Sequence, residues 1–89
     1  ENLARLPRNL KETHRTQSDW LRLVAEQDRL IVLLPEAWVE FRDRGLAWAE
    51  IGDLRLAVSD LETFVDHTDD ALERSAIEQR LQALRRAMN

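Results

Sequence analysis

Apolar side chains along this chain recur mainly at intervals of three or four residues, the spacing of one face of an α-helix. The clearest stripe lies in the segment from 18 to 34, where one polar residue, Gln27, interrupts an otherwise apolar face. The apolar members are Trp20, Leu23, Val24, Leu30, Ile31 and Leu34. A stripe of this kind predicts an amphipathic helix that buries one side.

The same spacing, combined with residues that start and stop helices, predicts five helices and no strands. We place them at about 3 or 7 to 17, 19–34, 36–51, 53–67 and 71–88. Pro7 suits the opening turn of the first helix, and Ser18 is a candidate N-cap for the second. Pro35 is predicted to end the second helix and open the third, which Gly52 then ends. Asp70 is a candidate N-cap for the fifth.

An internal repeat links the second and fourth predicted helices. A shift of 34 residues places Asp19 on Asp53 and Val24 on Val58. Two helices per 34-residue unit resemble the tetratricopeptide repeat. We therefore predict a single all-α domain over 1–89, a short superhelix of two tetratricopeptide-like hairpins and a capping helix. The predicted units are repeat one at about 4–37, repeat two at about 38–71 and the capping helix at about 72–89.

Residue size within these units suggests how the helices pack. Gly45 and Ala57 occupy positions where two helices of one hairpin should approach closely. Trp20 and Trp48 are large, and we expect them to fill the space between neighbouring hairpins. A single hairpin cannot bury its own apolar face, so the last one needs the amphipathic fifth helix as a cover.

Composition and charge narrow the function classes. The 89 residues are 44% apolar and 34% charged, with two Gly, two Pro and no Cys, which is a globular, helix-favouring composition without disulfides or a cysteine nucleophile. Residues 23–73 carry a net charge of −9, which argues against binding nucleic acid. The longest apolar run, from Leu30 to Leu34, is too short to span a membrane. We expect a cytoplasmic location.

Candidate catalytic residues do not form a recognisable set. His14 and His67 lack the spacing of metal ligands, and Asp69 with Asp70 resembles a helix cap more than a cation site. The tryptophans could form a ligand platform, but their helical spacing is more typical of a core. We therefore expect no enzyme activity, no metal and no cofactor.

Several runs resemble a bacterial family, the SirB-type transglutaminase-like regulators with a C-terminal tetratricopeptide region. The runs are residues 8–11, Asp19-Trp20, residues 42–53, residues 60–64 and residues 76–85. The most specific part is Arg-Asp-Arg-Gly-Leu from Arg42, followed by Asp-Leu-Glu from Asp60. The resemblance implies a helical docking or regulatory part, with the transglutaminase-like domain lying upstream. The chain begins with Glu1, so we expect a C-terminal fragment of a longer protein.

A candidate binding groove follows from the repeat architecture, in which the first helix of each hairpin lines a concave surface. The 34-residue shift carries Arg8 onto Arg42. Arginines and apolar residues share this side of their helices: Arg5, Arg8, Arg15, Val39, Arg42, Leu46, Ala49 and Arg80. Such a strip suits an acidic peptide or a C-terminal carboxylate. The alternative is that these arginines pair with nearby Glu on a solvated surface.

Two functions remain open at this point. The first is a protein-interaction or regulatory module that binds a separate partner or its own upstream domain. The second is a structural unit that self-associates and dimerises the parent protein, because two and a half units fall short of the usual three repeats.

Overall fold

The computed structural model describes residues 16–89, which form four α-helices and no strand. In chain order they are α1 (Gln17–Leu33), α2 (Trp38–Ile51), α3 (Leu54–His67) and α4 (Ala71–Met88). They correspond to the second to fifth predicted helices and confirm the all-α fold of tetratricopeptide-like hairpins. The first predicted helix lies outside the described residues.

The start of α1 differs from the prediction, because Thr16 and not Ser18 is its N-cap. The Thr16 hydroxyl accepts a hydrogen bond from the Asp19 backbone N–H at 3.1 Å, and the Asp19 carboxylate accepts one from the Thr16 N–H at 3.2 Å. This reciprocal pair is a capping box, which needs an acceptor side chain three residues after the cap. Ser18 has Leu21 at that spacing, so it lies within the first turn instead.

The start of α2 also differs, because the helix begins at Trp38 and Pro35 does not open it. The Ala37 N–H donates to the Leu34 carbonyl at 3.0 Å, which closes a turn around Pro35 and Glu36. Ala37 then adopts φ −81° and ψ 77°, outside the helical region. The turn therefore delays the helix by two residues.

Gly52 and Asp70 act as predicted, and Asp53 is an N-cap where the prediction began a helix. Gly52 ends α2 with a left-handed backbone, φ 104°, which glycine adopts without the steric cost of a Cβ. Asp53 caps α3 by accepting from the Leu56 N–H at 3.1 Å. Asp70 caps α4 by accepting from the N–H groups of Leu72 and Glu73, each at 3.1 Å.

The main core lies between α3 and α4, with α2 packed against it. Its buried members are Ala57, Leu61, Phe64, Ile77, Leu81 and Leu84. Helix α2 adds partly buried side chains, among them Trp38, Phe41 and Trp48. The stripe predicted for the last helix is therefore the one that covers the hairpin of α2 and α3.

Gly45 marks the closest approach of α2 and α3. A Cβ at this position would lie 2.8 Å from both Cγ and Cδ2 of Leu61 and 3.1 Å from the Asp60 Cβ. Leu61 is fully buried, so it has little room to move. The prediction that Gly45 allows close packing within the hairpin is confirmed.

Helix α1 packs mainly against α2, and its predicted apolar face is only partly buried. Val24 is buried at this interface, as is Ala47 of α2. Leu30 and Leu34, which continue the α1 stripe, are 39% and 57% exposed. Among the described helices, α2 covers part of the α1 stripe and leaves these two leucines substantially exposed.

Candidate partner-binding groove

Two ion pairs join α2 directly to α4. Arg42 Nη1 lies 2.9 Å from Glu73 Oε1, and Arg80 Nη2 lies 4.0 Å from Glu50 Oε2. The later residue of α2 pairs with the later residue of α4, so the two helices run parallel. Successive first helices of a helical repeat have this arrangement. The two pairs are separated by about 12 Å along α2, from eight residues at about 1.5 Å each.

Of the two described arginines of this candidate groove, Arg42 makes the more hydrogen bonds. Its Nε and Nη2 donate to Asp43 Oδ1 at 3.0 and 2.8 Å, and its guanidinium lies 5.8 Å from the centre of the Phe64 ring. Partial burial would lower the Arg42 pKa, but the hydrogen bonds and charges of Asp43 and Glu73 outweigh burial and raise it. The charge of Arg42 is therefore already balanced within the domain.

The other predicted groove residues of the described chain differ in accessibility. Val39 is 41% exposed, and the Arg80 side chain is 46% exposed. Leu46 and Ala49 are half-buried because they pack against the core between α3 and α4. The accessible part of the strip is therefore its two ends, near Val39 and near Arg80.

The remaining predicted groove residues, Arg5, Arg8 and Arg15, lie outside the described residues, as does His14. The equivalence of Arg8 and Arg42 therefore stays a prediction from the 34-residue repeat.

A pocket of about 400 Å³, which the sequence patterns did not predict, lies where α3 turns into α4. We call it the junction pocket. It is lined by Trp38, Val39, Arg42, Phe64, His67, Thr68, Asp69, Asp70 and Glu73. The Trp38 and His67 rings stack there, with centroids 3.7 Å apart and planes 12° apart. The His67 Nδ1 also lies 2.8 Å from the Thr63 carbonyl oxygen. No periodic signal joins Trp38 to His67, since they meet only through the α2–α3 fold.

Sequence reasoning also missed the ion-pair cluster around Arg44. Its guanidinium binds the buried Asp60 through two hydrogen bonds of 2.7 and 2.8 Å, and it donates to Asp28 at 2.8 Å. Hydrogen bonds with Asp60, and then with Asp28, raise the Arg44 pKa despite its partial burial. One arginine of α2 thus connects α1 and α3. The sequence does place Arg44 next to Gly45, where the two helices of the hairpin approach closely, and a charged residue at such a position needs a partner.

Residues 16–89 contain no group of three His, Asp or Glu side chains that could hold a metal ion. None of the four helices is long and apolar enough to cross a membrane. The features that stand out are the strip between α2 and α4, the junction pocket and the exposed apolar end of α1.

Paired antiparallel helices, parallel first helices and a closing amphipathic helix define a helical-repeat protein. Comparison with protein families identifies the repeat: the model described as "Tetratricopeptide repeat" matches residues 10–82. The chain belongs to this family. Tetratricopeptide repeats generally mediate protein–protein interaction and are typically non-catalytic.

One curated relative is similar over part of its length. It is a "UPF0162 protein" of Xylella fastidiosa strain Temecula1, 33% identical over 63 residues, which are 71% of this chain. The match covers 22% of the relative, so most of that protein lies outside it. No solved structure matches the chain.

Proposed function

We propose that this chain is a protein-interaction or regulatory module attached to a transglutaminase-like protein. In this proposal the strip between α2 and α4 binds a segment of a partner or the module's own upstream domain in the bacterial cytoplasm. The observation that carries the proposal is the parallel pair α2 and α4, on which Val39 is exposed at one end and Arg80, despite its 4.0 Å contact with Glu50, is 46% exposed at the other. The matched relative, whose length extends far beyond the match, supports attachment to a larger protein.

The acidic character of the partner is a finer proposal. Arg80 supports it, because this side chain is 46% exposed and its nearest carboxylate contact, with Glu50, is 4.0 Å long. Arg42 supports it less, because a partner carboxylate would have to displace Asp43 or Glu73. We therefore expect acidic residues of the partner to lie nearer to Arg80 than to Arg42.

Site-specific photocrosslinking in the intact parent protein tests the groove. A photoreactive phenylalanine analogue replaces Val39, and in a matched control it replaces Leu56 of α3, whose exposure of 42% equals that of Val39 within one per cent. We expect cross-links from position 39 to one defined segment, either upstream in the same chain or in a second protein. Equal cross-linking at both positions, or none at 39, would contradict the proposal.

Self-association is the second candidate function, and the end of α1 favours it. Val32 and Leu33 are 79% and 73% exposed, and Leu34 beside them is 57% exposed. Contiguous exposed apolar residues are typical of interaction surfaces. We propose a homodimer through this surface as the alternative.

A dilution series followed by light scattering separates the two candidates. The alternative expects a dimer mass that falls on dilution, and a monomer at every concentration for Val32→Glu. Leu72→Glu is the matched control, since Leu72 is 84% exposed but lies in α4. A monomer at all concentrations of the unmodified protein would rule the alternative out.

A further inference from the structure

We propose that the junction pocket is a recognition subsite for one basic side chain, arginine or lysine, of the bound partner segment. This inference rests on the proposed function for the source of that segment. The subsite itself is argued from its own charge, shape and hydrogen bonds. It also fixes the orientation of the bound segment along the strip, with a basic residue at the Trp38 end and acidic residues at the Arg80 end.

The charge of the junction pocket favours a cation. Three carboxylates, Asp69, Asp70 and Glu73, line it against one guanidinium, that of Arg42. Asp69 is exposed, and within residues 16–89 it has no hydrogen-bond or ion-pair partner. The hydrogen bonds of Asp70 and Glu73 use one carboxylate oxygen each, Asp70 Oδ1 and Glu73 Oε1, so within residues 16–89 their second oxygens accept no hydrogen bond.

The groups that would attract an anion are already occupied. Arg42 donates to both Asp43 and Glu73. The N-terminus of α4 points N–H groups at this region, but Asp70 accepts from those of Leu72 and Glu73. An acidic ligand would therefore meet an excess of negative charge without free donors to compensate, while a basic one would find complementary charge.

The shape of the junction pocket fits a long side chain with a charged end. Its volume of about 400 Å³ lies within the range of roughly 300–1,000 Å³ found for ligand pockets. Trp38, Val39 and Phe64 supply apolar and aromatic surface beside the carboxylates. Arginine and lysine lay their methylene stems along apolar surface while the charged end remains in polar surroundings. The stack of His67 on Trp38 holds this wall in place.

Nuclear magnetic resonance titration with matched peptides tests the subsite. The probes are acetyl-Ala-Arg-Ala-amide, its citrulline analogue, which keeps the shape of arginine without the charge, and acetyl-Ala-Glu-Ala-amide. With the 89-residue chain we expect the arginine peptide to shift the Trp38 indole and the backbone amides of 67–73, with affinity that weakens as salt is added. The citrulline and glutamate peptides should leave these signals in place.

Two substitutions make the test specific. Asp69→Asn removes a carboxylate of the junction pocket, and Asp66→Asn removes a nearby exposed carboxylate that does not line it. We expect Asp69→Asn to weaken the arginine peptide by up to about fivefold, the scale of one exposed ion pair, and Asp66→Asn to have no effect. Neither side chain makes a hydrogen bond within the described chain, so both variants should fold normally.

Several results would overturn the inference. They are equal binding of the citrulline and arginine peptides, tighter binding of the glutamate peptide, equal weakening by both substitutions, or no shift at about 10 mM peptide. The outcome is separable from that of the groove. If photocrosslinking finds no partner at position 39 while the arginine peptide binds here, the proposed function fails and the subsite stands. The reverse result removes the subsite alone.

Discussion

The two faces of α2 differ in how they are packed. Towards α3, Gly45 allows contact with the fully buried Leu61, and the interface continues into the core shared with α4. Towards α1, burial is limited to Val24 and Ala47, and polar links such as the 3.0 Å bond from Gln17 Nε2 to the Ile51 carbonyl supplement it. One helix thus has a close-packed face and a looser face.

An apolar stripe does not by itself determine burial, as a comparison of α1 with α3 shows. The α1 stripe is as regular in sequence as that of α3, yet Leu30 and Leu34 remain substantially exposed while Leu61 and Phe64 are buried. Among the described helices, α3 lies between α2 and α4, whereas α1 packs mainly against α2. We therefore expect substitutions in the α2–α3 face to affect the whole domain and substitutions in the α1–α2 face to act locally.

Gly45→Leu should have the largest effect, because it breaks the close-packed face. The new Cβ alone would lie 2.8 Å from Leu61 atoms, so the helices must separate. We expect a loss of about 3 kcal/mol or more, at or beyond the upper end of usual overpacking costs. In a thermal melt this corresponds to roughly 12 °C or more, at about 4 °C or more per kcal/mol for a domain of this size.

Ala83→Leu is the matched control for size, since it adds a leucine at an exposed position of α4. Glu78→Gln is the control for a single exposed charge. Both should melt close to the unmodified protein. A melting temperature for Gly45→Leu equal to either control would show that α2 and α3 are not packed as described.

Arg44 binds one carboxylate on each face of α2, so the stabilisation from the two ion pairs can be compared for a single guanidinium. Asp60, on the α3 side, is buried, whereas the Asp28 side chain, on the α1 side, is 55% exposed. Asp60→Asn should cost about 1.5–3 kcal/mol, the scale of a hydrogen bond to a charged group. Asp28→Asn should cost no more than about 1 kcal/mol, as for exposed ion pairs. Urea unfolding measures both, and equal losses would contradict the distinction between the faces.

Val24→Ala should have the smallest effect on the stability of the whole domain, because its effect should be confined to α1. The substitution removes two buried methyl groups from the α1–α2 interface. At about 0.8 kcal/mol each, the expected loss of hydrophobic stabilisation is about 1.6 kcal/mol. We expect faster amide hydrogen exchange throughout α1 and unchanged exchange in α3 and α4. Uniform acceleration in all four helices would show that the domain unfolds as one unit and that the looser face is not independent.

Most helix ends were predictable because they depend on a few neighbouring residues. Gly52 and Asp70 act where the sequence indicates, whereas Asp53, predicted as the first residue of its helix, is its N-cap. The Thr16–Asp19 capping box is also visible in the sequence, as two acceptor side chains three residues apart, and the assignment of the N-cap to Ser18 overlooks it. The late start of α2 was not predictable from Pro35 alone, since it depends on the turn that the Ala37 N–H closes with Leu34.

The candidate site was less accessible to prediction than the fold. Val39 and Arg80 are exposed, as the groove hypothesis requires. Leu46 and Ala49 are instead partly buried, because they pack against the core. Arg42 pairs with Glu73, which is 31 positions away in the sequence, and no local pattern predicts this contact. Periodicity shows which residues share a helix face, but not which carboxylate a given arginine meets.

The helical class, the hairpin repeat and the need for a glycine at 45 follow from the amino-acid sequence alone, because they depend on spacing, caps and side-chain size along one chain. The packing of the helices sets which apolar residues are buried, which charges neutralise one another and where the junction pocket lies. Those properties arise from side chains on different helices, and their distances are fixed only when α2, α3 and α4 pack together.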